Sequence, residues 1–259
     1  MKILVKLGGT LLDSADSRAR LAQELAQLRA QGFELVVVHG GGKQMTRFLA
    51  ERGVESRFVN GLRVSGSEVI DAVLKVLAGT VNHELVASLV ASGAMAVGLS
   101  GIDALLTEAE PMHADLGSVG RPVRSNAALL TLLTDRGYVP VVACVAGDKQ
   151  GRIYNVNADQ MAVACASGYK ADRLLFLTDV DGVKGAEGTV LPYLTAAKCR
   201  QLIEDGIATG GMQAKLNAAM DALASGIGQV IIAPGSLANA AARILAGEQI
   251  GTRLVADGG

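Results

Sequence analysis

The sequence contains no tryptophan, and aromatic residues make up only 3 % of its 259 positions. That scarcity disfavours base-stacking platforms and aromatic sugar sites. An excess of one charge is missing too. Lys and Arg number 24 against 25 Asp and Glu, a formal net charge of -1, which argues against nucleic-acid tracking and membrane-surface binding. Three cysteines, Cys144, Cys165 and Cys199, stand far apart with no C-x-x-C pair. This is the pattern of buried thiols in a reducing compartment. His39, His83 and His113 are scattered and offer no zinc-ligand spacing, so no metal-ligating residue is assigned. Proline is rare, with 5 residues, and the glycines follow no Gly-X-Y period, which excludes collagen and disorder. The longest apolar stretch, Val139 to Ala146, is far short of the ~20 residues that span a bilayer. Met1 leads directly into a strand-like run without a basic n-region or cleavage site. The expectation is a cytoplasmic protein with no membrane or nucleic-acid partner.

Glycine is what the chain has in excess: 32 residues, about 12 %, against a usual ~7 %. Half the residues are apolar, and the length suits one large α/β domain or two lobes. Apolar runs alternate with helical patterns from end to end. Ile3 to Leu7 reads as a buried strand stopped by Gly8-Gly9, and 16–31 as a helix with Leu21, Leu25 and Leu28 on one face. Leu35 to Val38 is a second strand, closed by Gly40-Gly41-Gly42 before another helix. This rhythm predicts βαβ units on a parallel sheet. Residues 55–64 alternate as a hairpin does. Ser65 and Glu68 have the spacing of a capping box opening a helix through about Ala78, and a separate helix is expected over 82–92. Residues 102–125 read as loops or short hairpins. Strands at 95–98, 139–143, 174–177 and 230–233 and helices at 158–168, 196–204 and 212–225 complete the pattern. The predicted class is α/β, an αβα sandwich with a mainly parallel central sheet, in two lobes of residues 1–168 and 169–259.

Lys6-Leu-Gly-Gly9 puts an ammonium at the carboxyl edge of a strand, where open α/β sheets bind ligands. Gly8 and Gly9 let backbone amides approach a phosphate, helped by the positive end of the next helix. An exposed edge lysine before a loop would look the same. Gly41 and Gly42 repeat the arrangement, as a backbone nest or simply a tight turn. There is no G-x-x-x-x-G-K-S/T and no G-x-G-x-x-G after the first strand, so P-loop and dinucleotide sites are excluded, and protein-kinase signatures are absent. Arg63 ends the hairpin and carries a fork suited to a carboxylate, unless it is merely an exposed arginine. Asn155, Asn157 and Asp159 crowd a helix start with more polar groups than one N-cap needs. Thr178-Asp179 form a polar turn at a sheet edge. Gly210-Gly-Met212 opens a helix with Lys215 in its first turn, an unfavourable charge unless an anion is bound there.

The ordered set Lys6-Leu-Gly-Gly9, His39-Gly-Gly-Gly42, Asn60-Gly-Leu-Arg63, Leu77-Ala-Gly79 with Asn82, Val97-Gly-Leu-Ser-Gly101, Asn155-Val-Asn-Ala-Asp159, Leu177-Thr-Asp-Val180 and Gly210-Gly-Met212 with Lys215 resembles the acetylglutamate kinase family over essentially the whole chain. The resemblance implies an amino acid kinase fold and ATP-dependent phosphorylation of the γ-carboxylate of N-acetyl-L-glutamate, with Mg²⁺. It implies that Lys6 and Lys215 stabilise the transition state and that Asp159 organises them. By the same resemblance Gly41, Gly42, Arg63 and Asn155 bind the acyl amino acid. Gly8 and Gly9, with Gly42, meet the phosphoryl group, and Thr178, Asp179, Gly210 and Met212 belong to the nucleotide lobe. A γ-carboxylate, with a reference pKa near ~4.3, is ionised at neutral pH and needs no general base. Lys43, where the family often has proline, and Ala233-Pro-Gly235 depart from its pattern. Rival readings are a sister kinase acting on a carrier-linked substrate and a catalytically dead nucleotide-binding protein. The resemblance also implies that arginine-inhibited members carry an extra helix before the first strand; since Met1 precedes that strand almost directly, an arginine-insensitive homodimer is expected.

Overall fold

The computed structural model describes residues 1–59 and 61–255. Asn60 of the Asn60-Gly-Leu-Arg63 motif lies outside the described residues, as do 256–259 at the end of the expected C-terminal lobe. In chain order the strands and helices are β1 (Lys2–Leu7), α1 (Ala15–Ala30), β2 (Glu34–His39), α2 (Gly42–Ala50), β3 (Phe58–Val59), β4 (Leu62–Arg63), α3 (Ser67–Ala72), α4 (Asn82–Ala91), β5 (Ala96–Ser100), β6 (Thr107–Pro111), β7 (Val119–Ser125), α5 (Ala128–Asp135), β8 (Val139–Ala143), β9 (Val145–Gly147), β10 (Ile153–Val156), α6 (Ala158–Tyr169), β11 (Arg173–Thr178), β12 (Tyr193–Thr195), α7 (Ala196–Glu204), α8 (Gly210–Ala224), β13 (Gln229–Pro234), α9 (Ala240–Leu245) and β14 (Thr252–Val255).

Eight strands form one sheet in the order β12-β14-β13-β11-β1-β2-β8-β5, parallel except between β13 and β14. Its centre is almost wholly apolar because parallel strands are covered on both faces. Ile3, Leu4, Val5, Val36, Val37, Leu174 and Leu175 have no exposed surface. Helices α1, α4 and α9 pack on one side, and α5, α6 and α8 on the other, which gives the expected αβα sandwich. The strand order reverses beside β1: β2 and β8 lie to one side, β11 and β13 to the other. The crevice outside the carboxyl ends of β1 and β11 is therefore the topological switch point, where such sheets take ligands.

Several local expectations are corrected. Of the two readings of residues 102–125, the hairpin one holds and the loop one does not. These residues contain β6 and β7, a hairpin that closes with β9 and β10 into a small barrel. The capping box is not formed: Gly66 is the N-cap of α3 and no side chain caps it. Ser65 is buried, and its hydroxyl donates to Arg63 O at 2.8 Å. The break expected between Ala78 and Asn82 is bridged by a π-helical stretch, Val73–Val81, so 67–91 is one uninterrupted helix of 25 residues. By length and composition it could cross a membrane, unlike the short apolar runs read from sequence. One face of it, including Val69, Val73, Leu77, Val81, Leu85 and Leu89, belongs to the core. Helix α5 and the outer strands β12 and β14 are further elements, beyond those expected from the sequence.

Candidate active site

Three titratable side chains meet at the switch point. Lys6, next to last in β1, puts Nζ 2.7 Å from Asp159 Oδ1. Lys215 on α8 puts Nζ 3.4 Å from Asp159 Oδ2. The Lys6 and Asp159 side chains are each 7 % exposed and Lys215 18 %. Burial pushes the Asp159 carboxyl up, but Lys6 first and Lys215 second outweigh it and hold the group below its usual range. It is a fixed anion, not a base.

Asp159 is free for this role because its neighbour does the capping. Asn157 Oδ1 accepts from the backbone N–H of Asp159 at 2.9 Å and of Gln160 at 3.3 Å, which satisfies the first turn of α6. Lys215 is the sixth residue of α8, which starts at Gly210. It therefore lies in the second turn, not the first, and the anion that accounts for it is Asp159 of its own chain.

Two glycine turns face each other beside this triad. Gly8 N–H donates to Leu177 O at 2.8 Å and Gly40 N–H to Leu7 O at 3.1 Å, tying the turns after β1 and β2 to the sheet. A Cβ on Gly9 would lie 2.8 Å from Gly41 N and 3.0 Å from Gly42 N. Only glycine permits that approach of two backbones. Gly42 opens α2, and its N–H, like those of the first turn generally, has no intrahelical acceptor. Amide dipoles, a helix N-terminus and two ammonium groups thus converge on one space, an environment for transferring an anionic group.

Arg63 at the end of β4 is buried. Its Nη2 donates to Thr46 Oγ1 at 2.8 Å and to Gly42 O at 3.2 Å, and its Nη1 donates to Ser56 Oγ. The guanidinium also stacks over Phe58, 4.6 Å from the ring centroid. Desolvation lowers its pKa from the ordinary arginine value. Asn155 Nδ2 donates to Ser65 Oγ at 3.0 Å, so Ser65 links Asn155 to the Arg63 backbone. On the other side of the switch point, Thr178 Oγ1 donates to Asp179 Oδ1 at 3.0 Å. Asp179, Val180, Asp181, Lys184, Ala208 and Met212 line a cavity of about 340 Å³. Gly210, with φ of +52°, turns the chain into α8 at the same end.

All thirteen residues singled out in the sequence thus lie around the carboxyl end of the sheet, in three groups: the triad with its glycine turns, Arg63 with Asn155, and the cavity beyond β11. Sequence reasoning missed Ser65, Thr46 and Cys144. Thr46 could have been found, since it lies one helical turn after Gly42. Cys144, whose thiol burial pushes up to about 11 against the pull of Lys6, gave no signal.

The amino acid kinase family model matches residues 1–234. The acetylglutamate kinase of Solibacter usitatus is 68 % identical over 255 residues, covering 98 % of this chain and 99 % of that one. The acetylglutamate kinase of Koribacter versatilis is 42 % identical over 259 residues, covering 99 % of each. Among solved structures, N-acetylglutamate synthase from Neisseria gonorrhoeae, complexed with coenzyme A and N-acetylglutamate, superposes with a TM-score of 0.88 at 25 % identity. It covers 98 % of this chain, which spans 59 % of the synthase chain.

Proposed function

The chain belongs to the amino acid kinase family, and we propose that it moves the γ-phosphoryl group of ATP onto the γ-carboxylate of N-acetyl-L-glutamate, giving N-acetylglutamyl 5-phosphate. It is a kinase of arginine biosynthesis with a carboxyl group as acceptor. The observation that carries the residue roles is the pair of lysines sharing Asp159 beside two glycine turns. The nucleophile is already an anion, so the barrier is repulsion between it and the phosphoryl group plus the need for in-line alignment. Lys6 and Lys215 supply positive charge at the oxygens where negative charge spreads. Asp159 keeps both ammonium groups in place. Amides of Gly9 and Gly42 hold the phosphoryl oxygens, while the Gly8 amide is taken by Leu177 O and fixes the turn behind them. Gly41, Gly42, Arg63 and Asn155 hold the acyl amino acid, with Arg63 and Asn155 on its α-carboxylate.

The cavity lined by Asp179 and Met212 combines carboxylate, lysine and apolar walls, which suits a nucleotide whose base is apolar-faced and whose edge is polar. With Thr178 and Gly210 it forms the ATP side, in the lobe of residues 169–259; residues 1–168 form the acyl amino acid lobe. Among the described residues no group of three or more His, Cys, Asp or Glu could hold a metal ion. Mg²⁺, when present, would come with the nucleotide and would supply neutralisation of phosphate charge.

We assign a cytoplasmic homodimer. On helix 67–91 Ile70 is half-buried and Val90 exposed, and Leu74, Ala78 and Val86 pack against the core while remaining only partly buried. The neighbouring β5 is an edge strand. An isologous contact there would cover both. The test of function is ADP release from ATP with N-acetylglutamate, glutamate, carbamate or UMP as acceptor. Release only with N-acetylglutamate is expected, and turnover only with a carrier-linked acceptor would overturn the reading. Light scattering giving a mass near 26.6 kDa instead of twice that would overturn the dimer.

A further inference from the structure

His39 and Asn82 take no part in the roles assigned above, yet both are buried polar groups directly behind the second glycine turn. His39 has no exposed surface. Its Nδ1 lies 3.0 Å from Gly40 O, and its Nε2 lies 3.0 Å from Asn82 Nδ2. A carbonyl only accepts, so Nδ1 carries the proton, and Nε2 accepts from the Asn82 amide. Asn82 Nδ2 also donates to Val141 O at 2.9 Å, so its own orientation is set by β8. A Cβ on Gly98 would fall 2.2 Å from Asn82 Oδ1; β5 has a gap where this side chain must fit. Desolvation holds the imidazole neutral, with a pKa of about 4.

The consequence lies in the geometry of the peptide. In a trans peptide the C=O and N–H point in opposite directions. With Gly40 O drawn inward to His39, the Gly41 N–H is turned outward, toward the turn that holds Gly9. From the flank, a Cβ on Gly41 would meet Leu77 Cδ2 at 2.5 Å and Val81 Cγ2 at 3.3 Å. Both side chains come from the π-helical stretch that ends just before Asn82. Wide turns of this kind often occur at functional sites; here the stretch carries the clamp on Gly41 and leads directly into the lock on His39.

We propose that His39 and Asn82 are positioning residues for phosphoryl transfer: Asn82 fixes the imidazole as the Nδ1–H tautomer, and that N–H fixes the Gly40–Gly41 peptide so that the Gly41 amide faces the γ-carboxylate of the acyl amino acid that accepts the phosphoryl group. The proposal deepens the reading of function above and rests on it. An amide free to flip would present its carbonyl oxygen to an anion, and losing one such donor costs a large factor in rate.

The test replaces the two ring nitrogens one at a time. His39→Ala is expected to lower kcat about 10-fold or more with little change in the KM for ATP. His39→Asn places an amide N–H near the Nδ1 position and should recover most of the loss. His39→Gln places its amide near Nε2, keeps the link to Asn82, and should not. Rescue by Gln as good as by Asn, or kcat that merely follows Tm across the three variants, would overturn the proposal. Failure of wild-type protein to turn over N-acetylglutamate would instead strike the functional reading. The tautomer is measured without turnover, from ¹⁵N imidazole resonances of the resting wild-type protein. A bare Nε2 and a protonated Nδ1 between about pH 5.5 and 8 are expected, and a proton on Nε2 overturns the proposal whatever the activities are.

Discussion

Lys6 and Lys215 reach one carboxylate from opposite halves of the chain by different means. Lys6 stands on a strand paired on both sides, to β2 and β11, and makes a 2.7 Å contact. Lys215 stands on a helix whose first turn has no side-chain cap, and its contact is 3.4 Å, with more exposure. Moving Lys6 would break two strand ladders, whereas moving Lys215 requires only that α8 shift. One wall of the site is part of the sheet and the other rides on a helix.

The sharpest way to break this comparison is to truncate each lysine. Lys6→Ala and Lys215→Ala should each lower kcat by on the order of 10²-fold or more, because each removes preorganised charge at a developing anion. Their stabilities should differ. Lys6→Ala leaves a buried carboxylate with only the longer contact, and breaking a buried pair costs about 3–5 kcal/mol. Lys215→Ala removes the weaker partner and should cost clearly less. Steady-state kinetics and thermal unfolding of the two variants check both statements. Near-normal kcat in a folded Lys215→Ala protein would sink the two-lysine mechanism.

The strand-bound wall was also the more legible one. Lys6-Leu-Gly-Gly9 and Gly40–Gly42 announce themselves because a strand, a glycine turn and a helix follow one another within a few residues. The helix-borne wall was misread in detail: Lys215 was placed in a first turn, and the anion it needed is 56 residues away on α6. Ser65 looked like a cap because spacing carries no information about burial. The helix through 67–91 reads as two in the sequence because a π-helical bridge, here Val73–Val81, has no simple periodicity. The small barrel was hidden for another reason. Its strands are short and interrupted by Pro111, Gly117 and Pro122, and two of its four pairings are parallel and non-local. What local patterning encodes was readable; what only tertiary pairing decides was not.

Within the sheet-borne wall, Gly9→Ala should separate the two glycine turns. The new Cβ would lie 2.8 Å from Gly41 N, a backbone atom that cannot rotate away. We expect kcat to fall by about 10-fold or more, since misplacement of ~1 Å can cost up to about 10²-fold. Gly42→Ala, whose Cβ would meet nothing within 4 Å, should keep the turns together. Equal losses in the two variants would mean that the approach of the turns is not what matters.

Arg63→Lys tests the proposed division between an acyl amino acid side and an ATP side. Lysine keeps a charge but cannot bond Ser56, Thr46 and Gly42 O through a planar fork or stack as well on Phe58. The KM for N-acetylglutamate should rise about 10-fold, with the KM for ATP changed by no more than about 2-fold. A larger rise for ATP would put Arg63 on the wrong side of the switch point.

The smallest effect separates two buried groups by pH. The His39 pKa falls from 6.5 to about 4 through burial, so between those values the unfolded chain binds more protons than the folded one. Stability then rises with pH across that window and is level above it. Asp159, held below its ordinary 3.8 by the two lysines against burial, works lower down. Its contribution is intact above about pH 4 and disappears as pH falls through the depressed folded-state value. The wild-type Tm should therefore drop by several degrees from pH 7 to 4.5, at about 2–4 °C per kcal/mol for a chain of this size. His39→Asn has no titrating ring and should lose most of that slope while retaining the steeper loss below pH 4. Asp159→Asn should show the reverse, keeping the slope between pH 6.5 and 4 and losing the acid limb. An unchanged slope in His39→Asn would mean that other groups govern the upper window and that His39 is not held neutral by its burial behind the glycine turn.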